Sequence, residues 1–129
     1  MQKLVFLVVG YSINWRRIIV NCLNRIGYTS IVEATDGSDA LGRMHTEDID
    51  FIITNWTMPN MDGLEFVKAV RKDTSFKDMP ILMVSTKKRR DDIIKALNAG
   101  VDNYIAEPFT LTVLNQKIDA ILEKRRSES

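Results

Sequence analysis

The sequence predicts an α/β domain of five strand–helix units, (βα)5, in which a doubly wound five-stranded parallel sheet is covered by helices on both faces. Three observations predict it. Short apolar runs bounded by turn residues alternate with helical patterns five times along 129 residues. The first run is apolar throughout, as in a strand buried on both faces. Each run is followed by apolar residues at helical spacing, the pattern of right-handed crossovers between parallel strands. A chain of this length holds one core and leaves no room for a separate catalytic or DNA-binding domain.

The first strand is Leu4 to Val9, and a helix from about Ile13 to Ile26 follows it, capped by Ser12 or Asn14 and stopped at Gly27. Trp15, Ile18, Ile19, Cys22 and Ile26 form its inward stripe. The second strand, around Ile31 to Ala34, is shorter and weaker; its helix, from about Ser38 to His45, turns Leu41 and Met44 inward. Phe51 to Thr54 is the third strand, and the loop Asn55-Trp-Thr-Met-Pro59 leads to a helix from about Gly63 to Arg71 carrying Leu64, Phe66, Val67 and Val70. Pro80 precedes the fourth strand, Ile81 to Val84, whose helix runs to about Ala99 with Ile93, Ile94 and Leu97 inward and Gly100 as its stop. Asp102 to Ala106 is the fifth strand. After Pro108 a helix runs from Thr110 to about Arg126, with Leu111, Leu114, Ile118, Ile121 and Leu122 inward. Residues from about 123 to 129 are expected to fray. No linker, repeat or low-complexity segment interrupts the chain, which reads as one domain.

Composition narrows the function. Eighteen Lys plus Arg against 17 Asp plus Glu give a formal charge of +1, and 45% of residues are hydrophobic. Disorder is excluded, and there is no global field to attract nucleic acid or anionic lipid. The single cysteine, Cys22, excludes an internal disulfide and gives no zinc signal, so the cytoplasm is the expected compartment. Lys3 before an apolar run resembles a signal peptide, but the run is short and no small-residue cleavage site follows; a buried strand is the better reading. No apolar stretch is long enough to span a bilayer.

Ligands of open parallel sheets bind beyond the carboxyl ends of the strands. The residues to interrogate are therefore Gly10, Tyr11, Asn55, Ser85 and Glu107.

Around these positions the sequence resembles the response regulator receiver family, and specifically its single-domain chemotaxis type. The supporting runs are Phe6-Leu-Val-Val9, Arg16-Arg-Ile-Ile19, Ala34-Thr-Asp-Gly37 with Asp39-Ala-Leu41, Trp56 with Met58-Pro-Asn-Met-Asp-Gly-Leu-Glu65, Ile81-Leu-Met-Val84, Ile93-Ile94 and Pro108-Phe-Thr110. They span essentially the whole chain. The resemblance implies a flavodoxin-like strand order, 2-1-3-4-5. It also implies an acidic pair that holds magnesium after the first strand, a phosphoaccepting aspartate after the third, a hydroxyl after the fourth, and a lysine before a cis-proline. Carried over, these roles fall on Gly10 and Tyr11, Asn55, Ser85, and Glu107 before Pro108. Only Ser85 keeps its chemistry, together with Tyr104, which aligns with the aromatic residue that rotates on activation in the family.

A glycine, a phenol and a carboxamide are poor magnesium ligands, since that ion is usually held by carboxylates, waters and phosphate oxygens. Asn55 cannot attack phosphorus as a carboxylate would. Glu107 has the wrong sign for a phosphoryl group: at 4 Å and an effective dielectric of 20 the repulsion is on the order of 4 kcal/mol per unit charge. The expected function is that of a degenerate receiver, a non-phosphorylatable signalling module with no catalysis, no metal and no cofactor, acting through protein partners. The expected partner surface is the face of the fourth helix, fifth strand and fifth helix, centred on Tyr104 and carrying Arg89, Arg90, Ile93 and Lys117.

Several readings stay open. Asn55 is either a loop residue capping local backbone or the remnant of a phosphoacceptor. Tyr11 either fills the vacated metal space or lies over the loop, and Glu107 either accepts hydrogen bonds from Ser85 and Asn55 or points into water. His45 has no ligand partner at metal spacing, Cys22 reads as a core thiol, and the six methionines read first as core filling. The run Lys87-Lys-Arg-Arg90 could touch nucleic-acid phosphates, but basic runs usually mark a solvated loop and helix start. The rival functions are a receiver still phosphorylated at Ser85 or Asp62, and a nucleic-acid-binding protein using Lys87 to Arg90.

Overall fold

The computed structural model describes residues 3–128. Five strand–helix units follow in order: β1 (Val5–Val9), α1 (Ile13–Ile26), β2 (Ser30–Ala34), α2 (Gly37–Thr46), β3 (Phe51–Thr54), α3 (Gly63–Lys72), β4 (Ile81–Ser85), α4 (Arg90–Ala99), β5 (Asn103–Ala106) and α5 (Leu111–Glu128). The strands are all parallel and lie in the order 2-1-3-4-5, the flavodoxin-like arrangement.

Alternation within each strand builds two cores. Phe6 and Val8, Phe51 and Ile53, and Leu82 and Val84 meet Trp15, Ile19 and Leu23 of α1 and Leu114, Ile118 and Ile121 of α5. Leu7 and Val9, Ile52, and Ile81 and Met83 face the other way, toward α2, α3 and α4. Burial on both faces is why β1, β3 and β4 read as unbroken apolar runs. The edge strand β2 is only partly buried and read weakly. Three methionines, Met44, Met58 and Met83, are buried in the core; Met1 lies outside the described residues.

Three expectations are corrected. Ile18 is 54% exposed, because the inward stripe of α1 steps by four through Trp15, Ile19 and Leu23, one position further round the helix. Ile94 and Leu97 are also exposed, at 44% and 45%. Helix α4 covers the sheet through the small Ala96 with Ile93 and Ala99 beside it, which leaves Ile94 and Leu97 facing water. Helix α5 runs to Glu128, past the expected end at about Arg126. Arg125 anchors it by donating to Asp102 Oδ1 at 2.7 Å and to the Asp78 and Met79 carbonyls. Ser129 lies outside the described residues. No helix of the described residues is long and apolar enough to cross a membrane.

Candidate functional site

The registers of the sheet bring the suspect positions together. Val9 pairs with Thr54 across β1 and β3, so Gly10 and Asn55 leave the sheet side by side, and the Asn55 N–H donates to the Val9 carbonyl at 2.9 Å. Ser85 pairs with Ala106, and the Glu107 N–H donates to the Ser85 carbonyl at 2.8 Å, which places Glu107 over the same end. The Glu107-Pro108 peptide is cis.

The Asn55 loop is tied down by contacts written in its sequence. Helix α3 opens with a reciprocal cap: Asp62 accepts from the Glu65 N–H at 2.9 Å, and Glu65 accepts from the Asp62 N–H at 3.1 Å. Gly63 follows because a Cβ there would lie 2.1 Å from the Asn55 carbonyl oxygen, and its N–H donates to the Trp56 carbonyl at 2.7 Å. Asn60, at φ 65°, donates to Asp36 at 2.8 Å and ties the loop to the start of α2. The buried Asp36 carboxyl is held below the usual range by the Asp39 N–H it caps, and further by Asn60. Thus the Asp-Gly-Leu-Glu run is spent on architecture, and Asp62 is engaged as a helix cap.

At the centre, Asn55 turns inward on its own backbone, its Oδ1 accepting from the Trp56 N–H at 2.7 Å. Ser85, buried, accepts from the Lys87 N–H at 3.1 Å. The network in which Glu107 would accept from Ser85 and Asn55 does not form. Glu107 is half-buried, and desolvation pushes its carboxyl above the usual range, partly offset by the nearby Trp15 indole N–H. That buried N–H has no acceptor at hydrogen-bond geometry. Tyr11 resolves as a surface aromatic, 65% exposed. Arg16 fixes the loop beneath it, donating to the Gly10 carbonyl at 2.7 Å, the Tyr11 carbonyl at 3.2 Å and Glu33 at 2.9 Å.

Magnesium does not fit these residues. The side of Gly10 where an acidic side chain would stand is filled by the ring of Trp15, and among the described residues no three His, Cys, Asp or Glu converge. Sequence reasoning placed Trp15 in the core stripe and missed its second role. The signal was present as a glycine where an acid was expected, with a large aromatic five residues later. Cys22 is a half-buried thiol pushed up by burial, and His45 stands edge-on to Phe76 with ring centroids 5.4 Å apart.

The residues assigned to the partner face are dispersed in depth. Arg89 and Arg90 are exposed, whereas Ile93 is half-buried and Lys117 donates to Asn103 at 3.2 Å. Tyr104 is only 7% exposed, so it supports this face from beneath rather than anchoring it as an exposed ring. Its hydroxyl donates to the Lys87 carbonyl. Burial pushes the phenol above its ordinary range, helped by the charges of Asp92 and Glu107, while the Ser85 hydroxyl pulls the other way. Lys87 itself lies over the Trp56 ring, 5.3 Å from its centroid.

Comparison with known proteins agrees with this architecture. The family described as response regulator receiver domain matches residues 6–119. The chain is 44% identical over 118 residues to chemotaxis protein CheY of Pseudomonas aeruginosa, covering 92% of this chain and 95% of that one. It is 45% identical over 117 residues to chemotaxis protein CheY1 of Helicobacter pylori, covering 90% and 94%. The solved structure of Vibrio cholerae CheY4 superposes with a TM-score of 0.85 at 31% identity, over 93% of this chain and 99% of that one. The chain belongs to the response regulator receiver family and is homologous to the chemotaxis protein CheY.

Proposed function

We propose that this chain is a receiver domain that signals in the cytoplasm without phosphoryl transfer or a divalent metal, by binding a protein partner. The observation that carries the reading is Asn55: the position after β3 holds a carboxamide whose oxygen already accepts the Trp56 backbone N–H. It offers no carboxylate to attack phosphorus. Glu107 adds a negative charge, where phosphoryl transfer calls for cations to stabilise the transferred group. The rival acceptors are engaged as well: Asp62 caps α3 and Ser85 accepts a backbone N–H.

The readout surface is the face of α4, β5 and α5. Tyr104, bonded to the Lys87 carbonyl, holds the β4–α4 loop in one arrangement without a phosphoryl group. That supports a domain that is constitutive or chosen by its partner. Exposed cations, Lys87 to Arg90, lead into α4, and the apolar Ile94 and Leu97 are exposed on that helix. A protein segment with acidic and apolar residues is the partner they fit, in preference to nucleic acid.

Intact-mass measurement after incubation with acetyl phosphate and magnesium tests the reading. No added phosphoryl mass is expected, and a stoichiometric adduct would overturn it. A partner captured from the native cell should lose affinity when Arg90 is replaced by alanine. A salt dependence of binding steep enough to count several phosphate contacts would favour nucleic acid instead.

A further inference from the structure

A Cβ built on Gly10 would lie 2.3 Å from Trp15 Cε3 and 2.6 Å from Cζ3, well inside van der Waals contact. The colliding atoms belong to the fused rings of a side chain only 8% exposed, packed against the strands that also bury Ile19 and Leu23. Neither partner can retreat. The start of α1 is fixed where the Trp15 N–H donates to the Ser12 hydroxyl at 3.2 Å, and Arg16 binds the carbonyls of both Gly10 and Tyr11. The indole N–H is buried beside the Glu107 carboxyl.

We propose that Trp15 is the plug of the former cation pocket. Gly10 and Trp15 form a matched small–large pair, and the pocket stays closed to a divalent cation even when acids are restored around it. The proposal rests on the metal-free reading above and deepens it: the missing carboxylates are one barrier, and an occupied volume is a second, separable one.

A double-variant cycle in thermal unfolding of the full chain tests the pair. Gly10→Ala should lower Tm by roughly 5 to 10 °C, the usual range for overpacking a core, and should cost little or nothing in a Trp15→Met or Trp15→Leu background. Having two backgrounds keeps the cycle readable if one folds poorly. An equal cost with and without Trp15 overturns the proposal. Calorimetric magnesium titration then tests the plug in the chain carrying Gly10→Asp, Tyr11→Asp, Asn55→Asp and Glu107→Lys. No saturable heat is expected in the millimolar range while Trp15 remains, and saturable binding is expected once Trp15→Met is added. Equal behaviour of the two, whether both bind or neither does, overturns the plug. Magnesium binding by the unaltered chain would instead overturn the metal-free reading, so the two failures are distinguishable.

Discussion

At the strand starts, Asp102 accepts from the Ile81 N–H at 2.7 Å, from Arg71 at 3.2 Å and from Arg125 at 2.7 Å, while Arg71 also donates to the Gly100, Lys77 and Met79 carbonyls. At the strand ends, the polar side chains of Asn55 and Ser85 each accept one local backbone N–H, and Glu107 is partly desolvated beside Trp15. The first end ties α3, β4, β5 and α5 into one network. The second gathers Asn55, Ser85 and Glu107 without a comparable charged network. The difference teaches that the fold is held at the end remote from the site, which leaves the site free to change residue types while the domain persists.

That contrast is sharpest at Asp102. Replacing it by alanine leaves two guanidinium groups and a backbone N–H without their shared acceptor. With the pair about four-fifths buried, the loss should be about 3 kcal/mol of unfolding free energy, read as a lower urea midpoint at unchanged m-value. A loss below about 1 kcal/mol would erase the distinction between the two ends. Tyr104→Phe comes next: it deletes the hydroxyl bonded to Lys87, costs about 1 kcal/mol, and should loosen amide exchange in the β4–α4 loop. Unchanged exchange there would mean that the loop is held by other contacts.

Smaller still is Asn55→Asp. The carboxylate can accept the same Trp56 N–H, so stability should move by less than about 0.5 kcal/mol. Magnesium should leave the fluorescence of the variant unchanged, and acetyl phosphate should add no mass. The smallest effect is at Glu107. Its carboxyl is raised in the folded state, so its contribution is most favourable below the ordinary glutamate range and is lost as pH rises through the raised value. Glu107→Gln should therefore be slightly more stable than the unaltered chain at neutral pH, and the gap should close on acidification. A gap that widens toward acid would reverse the assigned cause.

Most of the fold could be read from the sequence because burial on both faces writes continuous apolar runs, and Gly27 and Gly100 stop α1 and α4 as read. The misplacements of Ile18, Ile94 and Leu97 share one origin. Helical spacing reports that a stripe exists, but its rotation is set by what it packs on, and small residues such as Ala96 carry little hydropathic signal. The end of α5 was misread because Arg125 finds its acceptor 23 residues away in sequence, at Asp102. At the site, the identities of Gly10, Asn55, Ser85 and Glu107 were legible as departures from a pattern. The occupancy of the space between them was not, since a core-facing Trp15 satisfies the amphipathic pattern whether or not it also covers a strand end.

The contact between the Trp15 ring and Gly10 makes the order of substitution matter. An acid introduced at position 10 while the indole is present must enter at 2.3 Å from a ring carbon, so that single step passes through a destabilised protein. Shrinking Trp15 first opens a void but leaves the chain free of the clash, and the acid can then follow. Of the two orders in which Trp15 can give way to a smaller residue and Gly10 to an acid, one is thus closed by sterics alone, and the contact sets the sequence of any stepwise change at this pair: the large ring must leave before the acid enters.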